Sequence, residues 1–366
     1  MRIESIQAHR MLLPLHEPYH LSYGTIEALD SVWVCVRLDN GAIGCGESTP
    51  LPGYSPSTTD TVWATTNDMA RTSIGKKVSE VLGAPLPGSD GFLFAALRTA
   101  LEEAAGLIPN IAGTVPLVGL TQERQGETPA AALRRVRGAG YWVFKIKVGF
   151  SPLQQDIERL TAFQADLHDG ERIRVDANQA LSDQQARILL KYCLPEKIEL
   201  LEQPLPACAW TDCARIAQQS PIPIMLDESI TDVKSLEAAA HTGAGKIVKL
   251  KLMKQGGITQ LREMVAHAKK LGLEVVLGNG VAGWIDNRHE GIFWLKYLRD
   301  MGRAGEMNGY LKIQQKPSEV EFANGCLRLT AMSPRSFDRR HYVATASTTY
   351  GPRAAREEEI PLALAV

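Results

Sequence analysis

The chain has 366 residues, 45% of them hydrophobic and 22% charged, with a formal net charge of −1. That is enough for one large domain or two smaller ones, and the even charge balance excludes the basic excess of a nucleic-acid binder. No stretch approaches the roughly 18 apolar residues of a membrane span. Six scattered cysteines without a Cys-x-x-Cys pair argue against a disulfide frame or a zinc site. The opening "MRIESIQAHRMLLPL" alternates like a strand and lacks a signal-peptide pattern, so a soluble cytoplasmic protein is expected.

The first part reads as strands followed by helices. "RIESIQAHRMLLPL" and "SVWVCVRLDNGAIGCGES" alternate, the second as a hairpin turned at Asp39-Asn40-Gly41. "TTDTVWATTNDMARTSIG" and "SDGFLFAALRTALEEAAG" have helical spacing, with Ser89 or Asp90 placed to cap the second. This is an α+β module.

From about residue 113 a beat sets in. Short apolar runs, among them "WVFKIKV", "IRVDAN", "IELLEQP", "IPIMLDES" and "KIVKLKL", recur roughly every 25 residues. Segments with helical spacing separate them, opened by Ser151-Pro152 or Ser182 and closed by Gly272. Six or more strand–helix units with apolar strands mean a parallel sheet covered by helices, and a (β/α) barrel is its natural closure. An open doubly wound sheet would want a Gly-rich phosphate loop after its first strand, which "PLVGLTQERQGE" does not supply. After residue 310 the beat stops. "LKIQQKPSEVEFANGCLRLT" suits a hairpin at Asn324-Gly325 that returns to the first module.

Charged residues fall at the C-terminal ends of consecutive strands: Lys147, Asp176, Glu202, Asp227 and Lys251, 24 to 29 residues apart. In a barrel these ends face one mouth. A parallel barrel strand is buried on both faces, so Phe144, Ile146 and Val148 meet the helices while Lys145 and Lys147 point inward. A buried lysine without a partner is costly and needs a carboxylate or a function. Three carboxylates from adjacent strands are hard oxygen ligands suited to Mg2+, or Mn2+. Such a metal stabilises the enediolate formed when the proton α to a substrate carboxylate is removed. Lys145 and the metal would lower the pKa of Lys147 so that it acts as the base. Lys251, across the mouth, can return a proton to the other face, as racemisation or epimerisation requires.

"KIKVG", "RVDANQA", "LEQPL", "LDES" and "KLKLMKQGGI", with "GAIGCGE" before them, resemble the muconate-lactonizing-enzyme subgroup of the enolase superfamily (muconate cycloisomerases and dipeptide epimerases), along nearly all of residues 1–330. The resemblance implies an α/β architecture: an α+β cap over 1–112, completed by part of 311–335, and a (β/α)7β TIM-type barrel over 113–310. Residues 336–366 then read as a flexible tail. It implies Mg2+ on Asp176, Glu202 and Asp227, with Lys147 and Lys251 as the acid/base pair and Lys145 contacting the substrate carboxylate or tuning Lys147. Asn178, Gln203, Glu228 and Lys249 would surround the ligands. It also implies a homo-oligomer acting on a small-molecule carboxylate.

Substrate choice lies where the pattern departs. In place of the Asp-x-Asp of dipeptide epimerases the eighth strand offers Glu306 and Asn308, so one carboxylate remains to hold a substrate amine. Trp284 and Asp286, after the seventh strand, are candidate pocket residues. His20, Tyr23 and Tyr54, in "HEPYHLSYG" and "PLPGYS", are candidate contacts from loops of the cap. His289 sits too far past its strand end to serve as a base. The expectation is an isomerase, a racemase or epimerase of an amino-acid derivative or dipeptide-like acid. The alternative is β-elimination by a dehydratase, or cycloisomerisation, on the same enediolate. A metal-dependent hydrolase would have no use for the paired lysines, and a non-catalytic descendant would have lost one of these groups.

Overall fold

The computed structural model describes residues 1–21, 24–88, 90–314, 320–331 and 344–352. The cap begins with strands β1 (Ile3–Leu21), β2 (Gly24–Leu38) and β3 (Ile43–Ser48), followed by helices α1 (Thr59–Ser73), α2 (Val78–Gly83) and α3 (Phe92–Ala104). The β2–β3 hairpin turns at the expected place, with Gly41 at φ 79° and the Leu38 amide donating to the Ala42 carbonyl at 2.9 Å. β1 and β2 run on beyond their sheet as a long two-stranded arm, where Tyr19 pairs with Ile26. The segment around Tyr19, read from sequence as a loop, is the end of this arm. β3 lies close on α3 because Gly44 and Gly46 leave no Cβ; one added at 46 would stand 2.0 Å from the Ala96 carbonyl oxygen.

After β4 (Gly113–Pro116) the barrel strands follow: β5 (Val118–Leu120), β6 (Val143–Lys147), β7 (Arg172–Asp176), β8 (Ile198–Glu202), β9 (Ile224–Leu226), β10 (Ile247–Leu250) and β11 (Glu274–Leu277). They are hydrogen-bonded in sequence order as one parallel sheet. Its edges meet through the segment around Gly305. The Val118 amide donates to the Gly305 carbonyl at 2.9 Å, and the Glu306 amide donates to the Leu277 carbonyl at 3.1 Å. The helices between them are α4 (Pro129–Gly138), α5 (Leu153–Ala165), α6 (Asp183–Leu190), α7 (Trp210–Gln219), α8 (Val233–Thr242), α9 (Leu252–Gln255), α10 (Ile258–Lys270) and α11 (Trp284–Tyr297). Ser182 caps α6 through the Gln185 amide, and Gly272, at φ 74°, ends α10.

The alternation within the strands sorts the barrel. Phe144, Ile146 and Val148 are buried with Leu160 and Phe163 of α5 in the outer core, as expected for a strand covered by helices. Inside, Leu200, Met225, Ile247 and Val276 form an apolar layer. One pleat higher, toward the strand C-termini, the same strands carry Glu202, Asp227 and Lys249. The apolar layer closes the floor beneath the charged one.

Two expectations for the chain after residue 310 are corrected. Strands β12 (Val320–Ala323) and β13 (Cys326–Leu329) do form a hairpin, with Asn324 and Gly325 at positive φ. They pair with β4 beside the barrel rather than with the first module. Leu327 and Leu329 bury there, where Gly291 of α11 leaves space. Within the stretch read as a tail, β14 (Ala344–Tyr350) is a strand of the cap sheet, paired with β1. Tyr23 lies outside the described residues. No helix among the described residues is long and apolar enough to cross a membrane.

Candidate active site

The strand ends bring the expected charged residues together. Lys145, Lys147, Asp176, Asn178, Glu202, Asp227, Lys249, Lys251 and Glu306 line one cavity of about 70 Å3, closed over by Tyr19, Leu51, Tyr54 and Phe92 of the cap. Asp176, Glu202 and Asp227 are 1%, 0% and 2% exposed. The Lys145 ammonium lies 2.9 Å from Asp176 Oδ2, 2.6 Å from Glu202 Oε2 and 3.1 Å from Glu306 Oε2. Lys249 bridges Glu202 Oε1 at 3.0 Å and Glu306 Oε2 at 2.5 Å. Lys251 Nζ donates to Asp227 Oδ2 at 2.9 Å and to the Tyr54 hydroxyl, over whose ring it stands at 4.0 Å.

These contacts set the protonation balance. Burial and the neighbouring Asp176 raise the Glu202 carboxyl above its usual range against the pull of Lys145 and Lys249. Burial would raise Asp227 too, but Lys251, Lys254 and Lys249 outweigh it and hold Asp227 well below the usual range. The Lys145 ammonium is held well above its ordinary value by Asp176, Glu202 and Glu306, despite burial. Glu228, beside Asp227, is pushed up to about 7 by burial, Asp227 and Asp176.

Short-range geometry fixes the carboxylates. Gln203 is held at φ 33° immediately after Glu202, a left-handed backbone costly for a residue with a side chain. There its amide oxygen accepts from the Asp227 and Ser229 amides at 3.0 and 3.2 Å, and its amide nitrogen donates to Ser229 Oγ at 2.8 Å. Gln203 thereby ties the end of β8 to the end of β9. Asn178, at φ 40°, donates its backbone N–H to Asp176 Oδ1 at 2.9 Å and its side-chain N–H to Glu228 Oε1 at 3.2 Å.

The donor set suits a hard divalent cation: carboxylates from three adjacent strands, with the buried Asn178 Oδ1 and Glu228 Oε2 lacking hydrogen-bond partners among the described residues beside them. Among the described residues the carboxylates do not converge unaided on one point. Lys145 and Lys249 stand between them, and Asp176, Glu202 and Asp227 are the residues that would hold the cation.

Several expectations change. Lys145 is engaged by Asp176, Glu202 and Glu306. The Lys147 ammonium has no hydrogen bond or ion pair among the described residues and stands 5.2 Å from the Tyr19 ring centroid. Glu306 does not offer an open carboxylate to a substrate amine, because Lys145 and Lys249 take it and Arg174 stands 3.6 Å away. Those cations hold it well below the usual carboxylate range despite burial. Asn308 is turned away from the cavity, donating to the Val118 carbonyl at 2.8 Å. Trp284 packs edge-on against Trp33 of β2, with ring centroids 6.5 Å apart, so it joins cap to barrel rather than lining the cavity. Asp286 is equally buried, beneath Glu47 of β3, whose Oε2 accepts the Asp286 amide at 3.2 Å. His289 lies 3.3 Å from Glu103 Oε1, in the same cap–barrel joint. The backbone of His20 belongs to β1; its side chain lies outside the described residues.

Sequence reasoning missed Lys254, Tyr19 and Lys312. Lys254 donates to the Asp227 carbonyl at 2.7 Å, and burial lowers its pKa to about 8. Its position three residues after Lys251, in the short helix α9 that Lys251 precedes, is the signal that marks it. Tyr19 stood within the quoted "HEPYHLSYG" without being singled out.

Residues 127–290 match the family described as Enolase C-terminal domain-like. Over 303 residues the chain is 28% identical to muconate cycloisomerase 1 of Pseudomonas putida, covering 78% of this chain and 80% of that one. It is 24% identical to the L-Ala-D/L-Glu epimerase of Bacillus subtilis, covering 76% and 81%. The fold matches the dipeptide epimerase of Cytophaga hutchinsonii, solved with Mg and the dipeptide D-Ala-L-Val, with a TM-score of 0.81 at 20% identity, over 95% of this chain and all of that one. The capped barrel, the charged strand ends and these relatives agree: the chain is an enzyme that carries an Enolase C-terminal domain-like domain over residues 127–290, with muconate cycloisomerases and dipeptide epimerases among its relatives.

Proposed function

We propose that this enzyme removes the proton α to a substrate carboxylate and returns one to the opposite face, epimerising or racemising an amino-acid derivative. The observation that carries this reading is the pair Lys147 and Lys251. They line one cavity from β6 and from the end of β10, four strands apart, with the three carboxylates on the strands between them. A Mg2+ or Mn2+ ion on Asp176, Glu202 and Asp227 would supply the positive charge that makes the α-proton of a carboxylate removable.

The remaining work falls to the chain. Lys147, with no carboxylate partner among the described residues, takes the proton. Lys251, oriented by Asp227 and Tyr54, delivers a proton from the other side. Lys249 and Gln203 keep Glu202 and Asp227 in place. The cap residues Leu51, Tyr54 and Phe92 cover the mouth and limit water. Because Glu306 is neutralised internally, the substrate nitrogen is better read as acylated than as a free ammonium. The same neutralisation favours a second reading, in which the enediolate closes a ring or loses a leaving group instead of being reprotonated.

The test is α-proton exchange in D2O with the Mg2+-loaded protein and a panel of N-acyl amino acids, dipeptides and hydroxy acids. Deuterium entering with inversion, and lost in Lys147→Ala and in Lys251→Ala, supports epimerisation. Exchange accompanied by ring closure or loss of water replaces it with the second reading. No exchange by a protein that also fails to bind Mg2+ overturns both.

A further inference from the structure

The catalytic cavity, at about 70 Å3, holds the reacting end of a substrate rather than a whole one. Tyr19 is one of its walls and also a wall of a larger groove, 1150 Å3, between the β1 arm and the α4 side of the barrel. Most charges along that groove are matched. Arg124 pairs with Glu17 at 2.7 Å, Arg135 with Glu127 at 2.8 Å, and Glu123 with Arg159 at 2.7 Å.

Lys312 differs from them. Its ammonium donates to neutral oxygens, the Gly280 carbonyl at 2.6 Å and Asn308 Oδ1 at 3.3 Å, and lies 5.0 Å from the Tyr19 ring centroid. Among the described residues it has no carboxylate partner. Burial lowers its pKa, and Lys147 adds to the lowering. A desolvated cation of this kind gains from any anion brought beside it.

Gly280 stands between the catalytic cavity and Lys312. It lines the catalytic cavity, and a Cβ built on it would stand 3.5 Å from Lys312 Nζ and 3.2 Å from Asn308 Oδ1. The volume a side chain would fill at position 280 is the volume beside the ammonium.

We propose that Lys312, reached past Gly280, is a subsite for a second carboxylate, so that the enzyme prefers acids with an anionic group at the end remote from the reacting carbon. This deepens the proposed α-proton chemistry and rests on it for which carboxylate enters the cavity first. Glu306 cannot serve the same end of a substrate as a cation site, since its charge is already matched. Selection at this end is therefore for negative charge.

The experiment is calorimetric binding to the Mg2+-loaded protein, comparing N-acyl dicarboxylic amino acids with their distal monoamides, which keep the shape and remove one charge. Wild type is expected to bind the diacid at least tenfold more tightly. Lys312→Met and Gly280→Ala, shown folded by circular dichroism, are each expected to cut that ratio below threefold. Lys312→Arg should retain most of it, and Lys191→Met, at an exposed lysine, should leave it intact. Equal affinity of diacid and monoamide for wild type, or an unchanged ratio in folded Lys312→Met, overturns the subsite even where α-proton exchange continues. A tenfold preference that disappears with Lys312, in a protein that exchanges no α-proton, upholds the subsite and overturns the proton-transfer reading instead.

Discussion

The hydroxyl of Tyr54, on the loop after β3 of the cap, donates to Asp227 Oδ1 of the barrel at 3.0 Å and accepts from Lys251. One cap side chain thus touches both a candidate metal ligand and a candidate acid. Tyr54→Phe keeps the ring over Lys251 and removes the hydrogen bonds. Bonds to charged groups contribute about 1.5–3 kcal/mol, so kcat for α-proton exchange should fall about tenfold or more. A rate within twofold of wild type would show that Tyr54 only covers the site.

Glu306 is the counter-charge of the charged layer, 5% exposed and paired with Lys145 and Lys249. Glu306→Gln leaves two buried ammonium groups short of a partner. Breaking such a pair from one side costs about 3–5 kcal/mol, so urea denaturation should give a loss of that order. A change below about 0.5 kcal/mol would mean that the lysines find other partners.

Gln203 acts at one remove from the metal site, holding the Asp227 and Ser229 amides with one oxygen. Gln203→Ala should weaken Mg2+ binding about 10–100-fold, read by calorimetric titration of the apo protein. Retained affinity together with lost stability would reduce Gln203 to a structural tie.

Asp286 is 1% exposed, and neither carboxyl oxygen has a hydrogen-bond partner among the described residues. Burial, with Glu290 and Glu47 nearby, raises its pKa well above the usual range. The folded state therefore keeps a proton that the unfolded chain releases above its ordinary pKa. Stability is lost as pH rises from there toward the raised folded value. Asp286→Asn should cancel that loss, its stability gain over wild type growing from pH 4 to pH 8. A gain that is flat or falls with pH would mean that Asp286 is ionised in the fold.

The barrel and its charged layer were legible in the sequence because both follow from period. The alternation in "VFKIKVG" sorts Lys145 and Lys147 from Phe144 and Ile146, and the repeat near 25 residues stacks Asp176, Glu202 and Asp227 at adjacent strand ends. What stayed hidden depends on contacts that no period records. Glu306 meets Lys145 and Lys249 across 161 and 57 positions of chain, so its neutralisation could not be read from "GEMNG". Trp284 and Asp286 were placed in the pocket because they follow a strand end, yet α11 turns them onto β2 and β3. Lys312 ends a single 3-10 turn, Gly309–Lys312, after the last barrel segment, too short for alternation or helical spacing to mark a face.

The cap sheet is closed by residues from opposite ends of the sequence: the Thr345 hydroxyl donates to the Arg10 carbonyl, 335 positions earlier. During synthesis β1, β2 and β3 leave the ribosome first, and the outer edge of β1 stays unpaired until β14 arrives. The barrel can assemble in the interval, since its strands pair in sequence order. A chain interrupted before residue 344 would hold every strand-end charge of the site yet present a bare edge to its neighbours, so loss of the last strand leads to aggregation rather than to a failure of chemistry.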